Sequence, residues 1–175
     1  MPQLIKDGAI ADDRWTLLRE ASSLANLPDA EPAIVPLALW LAQRDALRAR
    51  GEIGVWLKPS DDPDLLAVDC SALPLIAIDF PQFTDGRGYS IARLLRERYQ
   101  FTGELRAIGD VLRDQLYYLW QCGFNAFAVR ADRSLEDALK GLSDFSDNYQ
   151  ATWARPVPFF RRRATESSPS AANQR

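Results

Sequence analysis

The sequence contains no histidine, and this removes a large part of enzyme chemistry from consideration. Histidine is the commonest general base and metal ligand near neutral pH, and it activates the nucleophile in Ser-His and Cys-His catalytic arrangements. Those mechanisms are therefore excluded for residues of this chain. Lysine is also scarce, with three residues against eighteen arginines. Recognition of anions by planar guanidinium groups would explain this preference, and so would a GC-rich genome.

Cysteine occurs only at Cys70 and Cys122. The two are far apart in sequence and form no C-x-x-C pair, so the chain cannot alone provide the four thiolates of the usual iron–sulfur cluster. A structural zinc site is not expected either, and we predict no metal site. Both residues have apolar neighbours, which predicts free thiols in or near the core, as is usual in a reducing cytoplasm.

Long apolar runs are missing as well. No segment approaches the roughly twenty apolar residues that cross a membrane, and the N-terminus lacks the pattern of a secretory or transit peptide. The formal net charge of −3 provides no overall positive field that would attract nucleic acid or an anionic membrane. We therefore predict a cytoplasmic protein that binds neither nucleic acid nor membrane. No residue pattern determines its oligomeric state.

The length of 175 residues, 47% of them hydrophobic, suits one domain with a substantial core. We predict a single α/β domain over residues 1–150. Residues 151–175 contain prolines, the triplet Arg161-Arg162-Arg163 and a low-complexity end. This composition is typical of a solvated, disordered tail.

The N-terminal part of the domain shows turn signals. Residues 4–10 predict a small β-hairpin that turns at Asp7-Gly8, with extended chain continuing through residues 15–18. The stretch through Pro28, Pro32 and Pro36 predicts a loop. Residues 37–50 have helical spacing and end at Gly51, a favourable helix C-cap.

Strands and helices alternate from residue 53 onward. Continuous apolar runs such as 75–80 are typical of parallel strands that are covered on both faces. Short connections between such units imply right-handed crossovers and a parallel sheet with packed helices, although four units cannot close a barrel. We predict an open parallel sheet or half-barrel of about four βα units with an N-terminal hairpin. The predicted strands are 53–57, 75–80, 105–109 and 124–129, and the helices begin near residues 61, 89, 111 and 134.

Ligands of parallel sheets bind beyond the carboxyl ends of the strands, and the loop over residues 81–90 follows such a strand. Its glycines would let the backbone approach a ligand, and Arg87 could bind an anion beside the N–H groups of the next helix. The loop matches neither the P-loop pattern nor the dinucleotide fingerprint, so a simple turn is the alternative. The predicted ligand-binding residues here are Gly86, Arg87, Gly88, Tyr89 and Ser90.

A second charged group surrounds the strand 105–109. Glu104, Arg106 and Asp110 alternate onto one side of it. They could form a structural ion-pair network, which would also draw on Asp114, or Arg106 could bind an anion at the strand end. Arg113 is a further candidate ligand-binding residue. If the protein is an enzyme, the candidate general bases are Asp79, Asp85 and Asp110, with Arg106 as electrostatic stabiliser.

Several segments together resemble a known family. They are 80–90 (FPQFTDGRGYS), 92–96 (ARLLR), 103–107 (GELRA), 109–115 (GDVLRDQ) and 122–124 (CGF). Over residues 1 to about 150 the chain resembles the bacterial domain-of-unknown-function family 934, and the tail beyond residue 150 departs from the pattern. Family members are described as candidate oxidoreductases of sulfite reduction, since they tend to be encoded beside the siroheme-containing sulfite reductase. The resemblance implies a pathway rather than a reaction.

We therefore expect an accessory protein of assimilatory sulfite reduction that acts through residues 85–115, here called the 85–115 surface. It would bind a small anionic ligand there or the sulfite reductase hemoprotein. Sulfite, a siroheme carboxylate or a flavin phosphate would each suit Arg87, Arg106 and a helix N-terminus. The alternative is a flavin-dependent oxidoreductase, since these side chains provide no metal cluster for redox chemistry.

Overall fold

The computed structural model describes residues 2–21, 23–28, 31–145, 149, 151–158 and 160–162. Within this part of the chain, eight strands form one sheet in the order β2-β1-β8-β7-β6-β5-β4-β3. The strands are β1 (Gln3–Lys6), β2 (Ala9–Asp12), β3 (Thr16–Leu17), β4 (Ala33–Pro36), β5 (Ile53–Leu57), β6 (Leu75–Phe80), β7 (Glu104–Gly109) and β8 (Ala126–Phe127).

The helices of the described residues connect successive parallel strands or follow the last one. They are α1 (Leu37–Ala42), α2 (Arg44–Arg50), α3 (Arg87–Glu97), α4 (Arg113–Gln121) and α5 (Leu135–Lys140), with 3₁₀ turns at Leu24–Asn26, Pro63–Leu66 and Gly141–Ser143. None of these helices has the length and apolar character that crossing a bilayer requires.

Strands β3 to β8 are parallel and lie in sequence order. Each right-handed crossover therefore advances in the same direction and places its helix on the same face of the sheet. On that outer face, strand residues such as Ile78 and Ala107 share the main core with helix residues such as Ile91 and Leu116. Cys70 and Cys122 are both buried there as free thiols, as predicted.

The sheet curls into a half-barrel, and chain connectivity requires it to do so. Strands β2 and β3 are its two edges, yet only residues 13–15 connect them. In a flat sheet, eight strands about 4.8 Å apart would separate these edges by roughly 34 Å. The linker can span at most about 15 Å between Asp12 and Thr16, because consecutive Cα atoms lie about 3.8 Å apart. The edges must therefore approach each other.

The inner face of this half-barrel carries the alternate strand residues. Trp56, Ala77 and Ile108 form a second, smaller core there with the half-buried Trp15 and Leu17. The linker thus crosses the inner face and helps to fill it.

The predicted half-barrel and its N-terminal hairpin are confirmed, but several element predictions need correction. Residues 33–36 were expected in a loop and instead form β4, with Pro36 as its last residue. The helix expected over 37–50 is broken into α1 and α2 at Gln43, which has non-helical φ of −134°. Strand β8 spans Ala126–Phe127 rather than 124–129.

Candidate functional site

Parallel strands that wind in one direction have no point where strand order reverses, so the crevice of doubly wound sheets is absent from β3 to β8. Barrel-type sheets instead bind ligands where the carboxyl ends of their strands converge. This C-terminal edge of the half-barrel receives the loops that follow β6, β7 and β8. Of the residues predicted from sequence, Asp79, Asp85, Arg87, Asp110 and Arg113 lie on or next to it.

Asp85 and Arg87 form a local ion pair before and at the start of α3. Two parallel hydrogen bonds join the guanidinium to the carboxylate, Nε to Oδ1 at 3.0 Å and Nη2 to Oδ2 at 2.7 Å. The Arg87 backbone N–H also donates to Asp85 at 3.2 Å. The hydrogen bonds from Arg87 lower the pKa of Asp85. The negative charge favoured at this helix N-terminus is thus supplied by the chain itself, while the Arg87 side chain stays 62% exposed.

The glycines of this loop serve different purposes. Gly88 is buried, and a Cβ there would lie 2.6 Å from Cζ of Phe80, so a glycine is required for α3 to pack on β6. Gly86 is exposed and precedes the helix. Ser90 is exposed on α3, whereas the ring of Tyr89 packs 5.3 Å from that of Phe80 and burial raises the Tyr89 pKa.

Asp110 connects three loops of the C-terminal edge. Its carboxylate accepts the backbone N–H of Phe83 at 3.0 Å and pairs with Nη1 of Arg130 at 2.8 Å. Arg130 also donates two hydrogen bonds to Asp132. Asp110 therefore fixes the loop after β6 and the loop after β8 relative to each other.

Asp79 belongs to β6 and faces the inside of the half-barrel. It is 7% exposed, and its Oδ1 accepts a hydrogen bond from Nη2 of Arg19 at 2.9 Å. The neighbouring strand comes very close at this point. A Cβ on Gly109, whose φ is +96°, would lie 2.8 Å from that same oxygen and 2.4 Å from the carbonyl oxygen of Phe80.

Arg106 is not part of this edge. It is 3% exposed, and its guanidinium donates to Glu104 at 2.7 Å and to Asp13 at 2.8 and 3.1 Å, while Lys6 pairs with Glu104 at 2.8 Å. Its carboxylate partners are thus Glu104 and Asp13 rather than Asp110, which lies past the far end of β7. Arg106 and Arg87 are therefore not brought together, contrary to the expectation that both would bind one anionic ligand.

Arg113 is the first residue of α4, and it ties that helix to the region of α5. Its guanidinium pairs with Asp137 at 2.9 Å and with Asp144 at 3.0 Å. These residues line a cleft of about 520 Å³, which also contains Arg133 and Asp114. Its walls carry charges of both signs.

Sequence reasoning missed a group of residues inside the C-terminal end of the half-barrel, and we call this group the inner mouth. It consists of Arg19, Trp56, Lys58 and Asp79. The guanidinium carbon of Arg19 lies 5.7 Å from the centre of the Trp56 ring, and Nζ of Lys58 lies 5.9 Å from it. The available signal was strand alternation, which places Lys58 on the face of Trp56, but β3 is too short for the same signal to be recognised at Arg19.

In the part of the chain that the structure describes, no three carboxylates or thiols cluster as metal ligands would.

Comparison with known proteins identifies one matching family. No curated protein matches the chain, whereas a family model described as a bacterial protein of unknown function, DUF934, matches residues 54–160. The match starts inside β5, covers the C-terminal edge from β6 onward, and extends past the limit of about 150 expected from the resemblance. Since it spans more than half of the sequence, the chain belongs to the DUF934 family of bacterial proteins of unknown function.

Proposed function

We propose that this protein is an accessory protein of assimilatory sulfite reduction whose 85–115 surface binds an anionic ligand or the sulfite reductase hemoprotein. Family membership supports the pathway, because genes of this family tend to lie beside that of the siroheme-containing enzyme. The binding role is supported mainly by Arg87, whose exposed guanidinium lies at the N-terminus of α3, on the C-terminal edge of the sheet.

Electrostatics favour binding at this surface. Arg87, Arg93 and Arg113 each carry an ion pair with a carboxylate of this chain, and each guanidinium is substantially exposed. Exposed ion pairs contribute only about 0 to 1 kcal/mol. A partner with its own carboxylates can therefore exchange with the intramolecular ones at little cost in free energy.

The same pairing argues against general-base catalysis by the three candidate aspartates. Each of the three aspartates accepts a hydrogen bond from an arginine: Asp79 from Arg19, Asp85 from Arg87 and Asp110 from Arg130. None of the three contacts Arg106. The lowered pKa of Asp85 makes its carboxylate a weaker base near neutral pH. An accessory binding role requires no proton transfer from these groups.

The test is capture of the purified sulfite reductase hemoprotein by the immobilised protein. The variant is Arg87→Ala, and the matched control is Arg14→Ala, because Arg14 is also 62% exposed and pairs with Glu52 at the start of β5, at the opposite end of the sheet. We expect capture by the wild type and by Arg14→Ala and its loss in Arg87→Ala. Equal capture by all three, or by none, would contradict a hemoprotein-binding role for the 85–115 surface.

An absorbance spectrum of the purified protein accompanies this experiment. A colourless protein is expected from the accessory role. A flavin spectrum would instead support the alternative, a flavin-dependent oxidoreductase acting in sulfite reduction.

A further inference from the structure

We infer that the inner mouth binds a small inorganic oxyanion between Arg19 and Lys58. This site is distinct from the 85–115 surface, and the inference does not depend on the proposed function.

Strand alternation places these charges together. Arg19 follows β3 by two residues, and the last ladder bond before it runs from the Leu18 N–H to the Ile34 carbonyl. Leu17 lies in the inner core, and the contacts of Arg19 with Asp79 and Trp56 place its side chain on the same face. Lys58 directly follows β5, where the pairing of Leu57 with Ile78 sets it beside Asp79 on the inner face.

The inner mouth carries one more positive charge than negative. Arg19 uses a single nitrogen, Nη2, to bind Asp79, and among the described residues its Nε and Nη1 have no hydrogen-bond acceptor. The ammonium group of Lys58 has no carboxylate within ion-pair distance in the same part of the chain. Two sets of cationic N–H donors therefore remain available, both within 6 Å of the centre of one aromatic ring.

Trp56 holds these donors in place. Its ring is 4% exposed, and its indole N–H donates to the carbonyl of Leu18 at 3.2 Å, so the ring cannot reorient without losing a hydrogen bond. Both cations lie within 6 Å of the ring centre, the range of a cation–π interaction. The donors are thus arranged before any ligand binds, which lowers the entropy cost of binding.

The chemistry of these donors selects the ligand class. A guanidinium binds two oxygens of an oxyanion through parallel N–H donors, and an ammonium contributes a point charge to a third oxygen. Sulfate, phosphate and sulfite each offer at least three oxygens around one central atom. Chloride offers a single centre and cannot engage both groups in this way.

The test follows the Trp56 indole N–H by two-dimensional ¹H–¹⁵N NMR. The signal is assigned as the one among those of five tryptophans that disappears in Trp56→Phe. Wild type is titrated separately with sodium sulfate, sodium phosphate and sodium sulfite, each against sodium chloride at equal ionic strength. We expect saturable shifts of this signal with at least one oxyanion and none with chloride.

Variants locate the site. Lys58→Met removes a group without an ion pair and should keep the fold, and we expect its oxyanion affinity to fall about tenfold or more. Arg19→Gln should weaken binding similarly. Arg14→Gln is the matched control, because Arg14 also lies over a tryptophan, Trp15, but pairs with Glu52. A shift that never saturates, or that is unchanged in Lys58→Met, would overturn the site, whatever the outcome of hemoprotein capture.

Discussion

The guanidinium of Arg96 lies 5.0 Å from the ring centre of Trp153, so the segment after residue 150 packs on α3 at this point. Arg96 is buried, and instead of a carboxylate it binds oxygens of four loop residues: the carbonyls of Gly123 and Gly103, both at 2.9 Å, the carbonyl of Phe101 at 2.5 Å, and the side chain of Asn125 at 3.3 Å. Desolvation lowers the pKa of this guanidinium to about 10.

This geometry predicts that Arg96→Lys destabilises the fold. A lysine cannot reach several divergent acceptors at once, so buried carbonyl groups lose their donors. We expect the free energy of unfolding to fall by about 2 to 4 kcal/mol in urea titrations. Arg93→Lys on the exposed side of the same helix is the control, with an expected change within about 0.5 kcal/mol. Similar losses in both variants would refute the role assigned to Arg96.

Two glycines with positive φ should respond differently to alanine. At Gly109 the added Cβ would meet the Phe80 carbonyl oxygen at 2.4 Å, whereas at Gly8, with φ +78°, no atom lies within 4 Å. We expect Gly8→Ala to cost about 1 kcal/mol from backbone strain alone. Gly109→Ala adds an atomic overlap and should cost about 2 to 4 kcal/mol. Thermal and urea unfolding of both variants measure the difference between their losses of unfolding free energy. Equal losses would mean that β6 and β7 can move apart enough to accommodate the added Cβ.

Because Arg106 is buried and Arg87 is exposed, replacing each by leucine should lower the free energy of unfolding by very different amounts. Arg106→Leu leaves the carboxylate of Asp13 inside the half-barrel without its partner, and removing one member of a buried pair costs about 3 to 5 kcal/mol. Arg87→Leu removes an exposed pair and should cost less than about 1 kcal/mol. Urea unfolding of the two variants compares these costs directly. A small loss for Arg106→Leu would show that the inner network contributes little to stability.

Burial raises the pKa of the Cys70 thiol to about 11, with a further contribution from the charge of Asp69. The folded state therefore keeps this thiol neutral at pH values where the unfolded chain ionises it. The resulting stability is fully present below the ordinary pKa of 9.0 and is lost as the pH rises to about 11. It amounts to about 2 to 3 kcal/mol. The free energy of unfolding of the Cys70→Ala variant should therefore fall by about 2 to 3 kcal/mol less than that of the wild type between pH 9 and pH 11. An equal decline in both proteins would contradict the raised pKa of Cys70.

The sequence was informative about the loops of the C-terminal edge, because apolar strands and glycine-containing turns carry local signals. These signals also predicted that Asp79, Asp85 and Asp110 lie at this edge, where the structure places them. Strand β4 was missed because Pro32 precedes it and Pro36 ends it, and prolines at this spacing resemble loop residues. Its strand character comes from burial between neighbouring strands, which is a property of the assembled sheet.

The partners of the arginines were harder to predict. Arg106 pairs with Asp13, 93 positions away along the chain, and no local pattern identifies such a partner. Arg19 was overlooked because β3 has only two residues, too few for alternation to be recognised as a strand. Its orientation depends on pairing with β4, which was itself unrecognised.

The N-terminal hairpin has a consequence for synthesis. Ile5 pairs with Phe127, so the first strand completes the sheet only beside the last one. During translation the hairpin emerges well before its partner, and contacts between distant parts of a chain form late and slowly. The hairpin is made before the rest of this domain but is thus among the last parts to reach its final position, and the half-barrel closes only after nearly the whole domain has been made.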